Sequence, residues 1–159
     1  PLDIVVPRKV GAPFNPELGL GAIAPGVRVL DEGMLRGLGI SEEDLEHEIR
    51  TQEDEIRRRT EAYRRGKQPV DLKDKIVVVV DDGIATGGTA VAALRWVRSL
   101  GPAELILAVP VAPDAVRPRM EAEADRVVFL ASPEPFLAVG RWYEDFGQVG
   151  DEEVRAALA

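Results

Sequence analysis

The chain has 159 residues, no cysteine, a single histidine (His47) and a formal net charge of −8. This excludes a disulfide framework, a thiolate zinc site, a cysteine nucleophile and a multi-histidine metal site. The length fits one domain. With 20 Lys+Arg against 28 Asp+Glu, electrostatic binding to nucleic acid or to an anionic membrane is disfavoured.

The acidity is spread along the chain. Residues 1–40 are neutral overall, 41–65 carry −3, 66–140 carry −2 and 141–159 carry −3. No basic stripe is left that could track a phosphate backbone. The one basic run, Arg57-Arg58-Arg59, follows Glu53-Asp54-Glu55 and reads as an ion-paired helix face. No run of 18 apolar residues predicts a transmembrane helix. The first residues lack the basic start of a signal peptide, so the cytoplasm is the expected location.

Residues 2–6 read as a short buried strand ended by Pro7. Residues 10–26, rich in Gly and Pro, read as a long functional or mobile loop. Its end closes as a hairpin, 20–24 with 27–30, around a Pro25-Gly26 type II turn. Residues 41–65 predict a helix. Ser41 is its N-cap and Asp44 stands in capping-box position. Leu45, Ile49, Ile56 and Tyr63 form its apolar stripe, and Gly66 is placed to stop it. His47 lies off that stripe and reads as a surface residue. The run Ile76–Val80, β-branched without alternation, predicts a strand buried on both faces. A helix over 88–100, a strand over 104–111, a helix over 113–124 and a strand over 126–131 follow. This βαβαβ series predicts an α/β fold with an open parallel sheet. Residues 133–150 read as a loop bearing Phe136, Trp142, Tyr143 and Phe146. A last helix is expected over about 151–158.

Ligands bind open α/β sheets beyond the carboxyl ends of their strands. At such an end lies Asp81-Asp82-Gly83-Ile84-Ala85-Thr86-Gly87-Gly88-Thr89. Adjacent carboxylates repel and are costly unless solvated or paired. Two of them side by side can accept hydrogen bonds from the vicinal hydroxyls of a ribose. Gly87 and Gly88 let backbone N–H groups form a nest at a helix N-terminus, and Thr86 and Thr89 add hydroxyl donors. Such a nest suits a phosphate. Diol acceptor and phosphate cradle together describe a site for a ribose 5-phosphate. The segment lacks the lysine of a nucleoside triphosphatase loop and the spacing of a dinucleotide fingerprint. A phospho-acceptor receiver would need another Asp and a Lys at later strand ends, where this chain has Pro110-Val111-Ala112 and Ala131-Ser132.

The segment Val77 to Thr89 resembles the 5-phosphoribosyl-1-pyrophosphate (PRPP) signature of type I phosphoribosyltransferases: four apolar residues, two acids, two further apolar positions and a small Thr/Gly-rich loop. Gly83 departs from that pattern, which prefers a larger apolar residue. Val6-Pro7-Arg8-Lys9 resembles the strand end that carries Arg-Lys beside pyrophosphate in many members. The stretches 10–17 and 136–146 resemble a bacterial subgroup.

The resemblance implies helices on both faces of the parallel sheet, a flexible loop or hairpin and a C-terminal hood. It implies transfer of the phosphoribosyl group from PRPP to a nitrogenous base, with release of pyrophosphate. Asp81 and Asp82 would hold the ribose hydroxyls. Ala85, Thr86, Gly87, Gly88 and Thr89 would cradle the 5-phosphate. Arg8 and Lys9 would face pyrophosphate or the flexible loop. Mg²⁺ would bridge substrate oxygens, and no dedicated protein metal cage is expected. The segment 11–26 would act as a lid. Trp142, Tyr143 or Phe146 would offer a platform for the base. Neither nucleic acid nor a membrane is an expected partner. The oligomeric state stays open, with a homodimer the form many relatives take. Members usually begin with a helix and a strand ending in a pyrophosphate loop, ahead of the position of Leu2. The resemblance therefore implies one domain over 1–159 without that helix and first strand. The alternative is a non-catalytic module on the same fold that senses PRPP or a nucleotide.

Overall fold

The computed structural model describes residues 1–158. Its elements in chain order are β1 (Arg8–Ala12), β2 (Asn15–Ala24), β3 (Val27–Leu30), α1 (Glu32–Leu38), α2 (Glu42–Arg64), β4 (Ile76–Val80), α3 (Gly88–Ser99), β5 (Glu104–Val111), α4 (Arg117–Glu121), β6 (Arg126–Ala131) and α5 (Asp151–Ala157). Two sheets form. One is antiparallel, ordered β1-β2-β3, and the other is parallel, ordered β4-β5-β6.

The helices follow their capping chemistry. Ser41 caps α2 through a reciprocal capping box with Asp44, and the buried residues of α2 are Leu45, Ile49, Ile56 and Tyr63. The helix stops at Arg65, which takes a left-handed conformation one residue before Gly66. Glu153 accepts a hydrogen bond from the N–H of Gly150 at the start of α5. His47 is exposed.

Four sequence expectations are corrected. Residues 2–6 are not a strand. They form a strap tied down by Asp3, whose carboxylate accepts from the N–H groups of Ile4 and Val70 and from both Nε and Nη2 of Arg64. The stretch 10–26 is not a structureless loop. Most of it is β2, paired with β1 on one side and with β3 on the other, in the expected register Gly21–Leu30 to Ala24–Val27. Its glycines mislead because they sit where the ladder shifts register, between Val10 and Ala12, and glycine in a strand marks such bulges. Residues 113–124 form a 3₁₀ turn, Asp114–Val116, followed by the five-residue α4. Pro118 is confined to a helix's first turn and sets this late start. Helix α1 is an addition to the expected elements. Asp31 caps it by accepting from Met34 N–H, while Gly33 and Gly37 hide its periodicity.

The fourth correction concerns burial. Strand β4 alternates instead of being buried on both faces. Val77 and Val79 pack inward, but Ile76, Val78 and Val80 are 66%, 52% and 71% exposed. Leu130 on β6 is 78% exposed. The reason is topological. Consecutive parallel strands laid side by side and joined by right-handed crossovers put both connecting helices on one face. Helices reach both faces only where the strand order reverses, and β4-β5-β6 does not reverse. The second face is therefore uncovered among the described residues.

Two cores result. Residues of β2, α3, β5 and α4 build one, including Ala22, Leu94, Leu105, Leu107 and Met120. Val10, Leu20, Ile23, Leu35, Leu45 and Ile49 build the other, between the antiparallel sheet and helices α1 and α2. The antiparallel sheet thus lies between α2 and α3. This places its β1–β2 ladder beside the start of α3, where the candidate site lies.

Candidate active site

Strand β4 delivers Asp81 and Asp82 at its carboxyl end, both exposed. Among the described residues the carboxylate groups take one hydrogen bond, and it is internal: Asp82 N–H donates to Asp81 Oδ1 at 2.9 Å. Although the residue as a whole is exposed, partial desolvation of its carboxyl pushes Asp81 above the usual carboxylate range. The Asp82 charge adds to this, and the hydrogen bond from Asp82 N–H opposes it. Among the described residues no cation pairs with either carboxylate.

The next residues are fixed by their surroundings. Ile84 N–H donates to Val111 O at 3.0 Å, tying the loop to the end of β5. A Cβ on residue 83 would meet Val139 Cγ1 at 2.7 Å and Val111 O at 2.9 Å. Gly83, the departure from the family pattern, is thus explained: the tail fills the space of a larger side chain. Gly87 has φ +83°, and a Cβ there would meet Met120 Cε at 2.7 Å. It also serves as the N-cap of α3, with no side chain capping the helix.

The consequence is a run of six free donors. Among the described residues the N–H groups of Ala85, Thr86, Gly87, Gly88, Thr89 and Ala90 find no acceptor in the chain; the first paired N–H is that of Val91, on Gly87 O. A helix start leaves four unpaired N–H groups, and here the loop extends the series upstream. Free N–H groups at the positive end of a helix dipole form an anion cradle. Beside the exposed carboxylates, this arrangement can hold a group that is a diol at one end and a phosphate at the other.

The structure separates Arg8 from Lys9. Arg8 pairs with Ile23 across the ladder, so it shares the face turned to α2, where its Nε donates to Gln52 Oε1 at 2.8 Å. Lys9 pairs with Ala22 and so shares the opposite face. Ala22 Cβ is the neighbour a Cβ on Gly88 would meet, at 3.9 Å. The exposed Lys9 is therefore on the loop's side, and Arg8 is not.

Two residues at the loop carry no signal that singles them out in the sequence. Arg119 of α4 donates from Nη1 to Thr86 O at 3.0 Å. Tyr143 is legible in the sequence only as one of several tail aromatics. Its hydroxyl donates to Asp82 O at 2.5 Å, and its ring lies 5.2 Å from that of Phe146. Two clefts lie away from the loop. One of about 620 Å³ lies against α2, lined by Arg8, Gln52 and Arg58 among others, and one of about 450 Å³ lies between α2, Trp96 and the Pro25-Gly26 turn. No cluster of three or more metal-ligating side chains occurs among the described residues, and none of their helices is long and apolar enough to cross a membrane.

The family model described as phosphoribosyl transferase domain matches residues 28–136. A Mycobacterium tuberculosis H37Rv protein, named "Putative phosphoribosyl transferase", is 46% identical over 159 residues, covering 99% of this chain and 36% of that protein. The chain thus spans about a third of the length of this curated relative. The uracil phosphoribosyltransferase of Lactobacillus gasseri is 33% identical over 87 residues, covering 54% of this chain and 42% of the relative. The crystal structure of TT1426 from Thermus thermophilus superposes with a TM-score of 0.76 at 48% identity, covering 99% of this chain and 74% of that one. The chain belongs to the type I phosphoribosyltransferase family.

Proposed function

We propose that the chain is the phosphoribosyl-transferring part of an enzyme that moves the 5-phosphoribosyl group from PRPP to a nitrogenous base, releasing pyrophosphate. The observation that carries this reading is the succession of two exposed, unpaired carboxylates and six free N–H groups at the end of one strand. Asp81 and Asp82 accept hydrogen bonds from the two ribose hydroxyls. The N–H groups of Ala85 to Thr89 take the 5-phosphate. The anomeric carbon gains positive charge as its bond to pyrophosphate breaks, and the nearby carboxylates stabilise that charge. Lys9 rather than Arg8 is on the side that meets pyrophosphate.

Mg²⁺ fits these residues as an ion carried in with the substrate. One or two carboxylates plus substrate phosphates are its usual ligands, and the site offers two carboxylates, Asp81 and Asp82. Bound there, it would neutralise charge on the departing pyrophosphate. Of the tail aromatics Trp142, Tyr143 and Phe146, Tyr143 reaches the loop through its hydroxyl and has Phe146 beside it, which supports a base stacking on this part of the tail.

The test is release of pyrophosphate from PRPP across a panel of bases. Uracil comes first, because relatives named uracil phosphoribosyltransferase align with about half of this chain. Turnover with one base, lost in Asp81→Asn/Asp82→Asn, is the expected result. Binding of PRPP without turnover of any base would favour a sensing module instead.

A further inference from the structure

Two backbone carbonyls of the site loop are held by side chains that approach from outside it. Thr86 O accepts from Arg119 Nη1 at 3.0 Å, and Asp82 O accepts from the Tyr143 hydroxyl at 2.5 Å. The two donors come from unrelated parts of the chain. Arg119 is on α4, beyond β5. Tyr143 is in the tail, beyond β6. They hold the loop at both ends of the stretch 83–85.

Their effect follows from charge. A carbonyl oxygen turned into an anion cradle would repel the anion that the neighbouring N–H groups attract. A donor that binds the carbonyl from outside holds it in place and leaves the N–H groups free. Arg119 acts at the phosphate end of the loop and Tyr143 at the diol end. The next residue of α4, Met120, is fully buried with its Cε under Gly87, so α4 supports the loop from below as well. The Arg117 guanidinium stacks 4.4 Å above the Phe129 ring of β6, which seats this short helix on the sheet.

We propose that Arg119 and Tyr143 are positioning residues that set the loop 82–87 in its anion-binding shape before any ligand arrives. The assignment rests on the phosphoribosyl reading of the site for its ligand, but not for its geometry. Both hydrogen bonds are exposed, so their loss should change the loop and leave global stability nearly intact.

The test uses Arg119→Ala, Arg119→Lys and Tyr143→Phe, with two readouts. The first is the NMR order parameter of the Gly87 and Gly88 amides without ligand. It is expected near 0.85 in the parent and to fall towards about 0.6 in Arg119→Ala. The second is the affinity for ribose 5-phosphate. It is expected to fall about tenfold in Arg119→Ala and several-fold in Tyr143→Phe, with the melting temperature unchanged. Arg119→Lys, which keeps a donor, should recover part of the loss. Loop order and affinity equal to the parent's in both Arg119→Ala and Tyr143→Phe would overturn the proposal. Should the parent itself fail to bind ribose 5-phosphate, the functional reading fails, and the order parameters still decide the positioning role.

Discussion

Truncating Met120 to alanine separates support of the phosphate loop from stability of the fold as a whole. The side chain is fully buried in the core that also holds Leu105 and Leu107. Removing a buried methionine side chain costs about 2–5 kcal/mol, through lost burial and the cavity left behind. For a domain of this size each kcal/mol lowers the melting temperature by about 2–4 °C, so a loss near 3 kcal/mol corresponds to about 6–12 °C. A second, local effect follows from where the cavity opens. Met120 Cε lies 2.7 Å from where a Cβ on Gly87 would be, so the truncation removes the wall behind the cradle. If ligand binding must then fix one more residue of backbone, at about 1–2 kcal/mol, affinity for ribose 5-phosphate falls roughly 5- to 30-fold. Leu105→Ala is the control. It is equally buried in the same core but lies at the start of β5, away from the loop. Thermal unfolding gives the stability of each variant, and calorimetric titration at a temperature where both are folded gives the affinity. Equal affinity losses in Met120→Ala and Leu105→Ala would refute the idea that Met120 supports the cradle.

Three further predictions concern the carboxylates, the tail and the two basic residues of β1. Burial raises the Asp81 carboxyl above its ordinary range, so its neutral form favours the folded state and its charge opposes it. Stability from this group is present at acid pH and lost as pH rises through the raised value. Asp81→Asn should therefore melt higher than the parent at pH 8, with the gap closing towards pH 3, while losing PRPP binding. Gly83→Ala should loosen the tail from the loop, because its methyl would meet Val139 Cγ1 and Val111 O. The readout is faster cleavage within 133–150 by a protease, and a rate equal to the parent's would contradict the packing described. Lys9→Ala should raise the KM for PRPP more than Arg8→Ala does, since Arg8 is engaged by Gln52 on the far face; the reverse order would show that the face assignment is wrong.

What the sequence reveals, and what it hides, has physical causes. The stripe of α2 and its capping box are legible because both are local: the spacing of Leu45, Ile49, Ile56 and Tyr63 and the Ser41–Asp44 pair lie within one helix. Strands β5 and β6 are legible as apolar runs between turn residues. The parallel-sheet interpretation of Ile76–Val80 is half right, since the apolar run is a parallel strand whose second face no described residue covers. Strand β2 is obscured because its glycines mark irregular pairing, and pairing depends on the partner strand. Asp81, Asp82 and the loop to Thr89 stand out since the whole constellation is contiguous. The facing of Arg8 and Lys9 is not legible, as it depends on register with β2. Nor are the contacts of Arg119 and Tyr143, which cross 33 and 61 positions of sequence.

The central claim is that the end of β4 holds a phosphoribosyl group between two carboxylates and a cradle of free N–H groups. The most direct measurement is calorimetric titration of PRPP with Mg²⁺ into the parent chain and into Asp81→Asn/Asp82→Asn, each first shown to be folded by its melting curve. The account predicts saturable one-to-one binding by the parent and its loss in the variant. A folded parent that does not bind, or a variant that binds equally well, would contradict it.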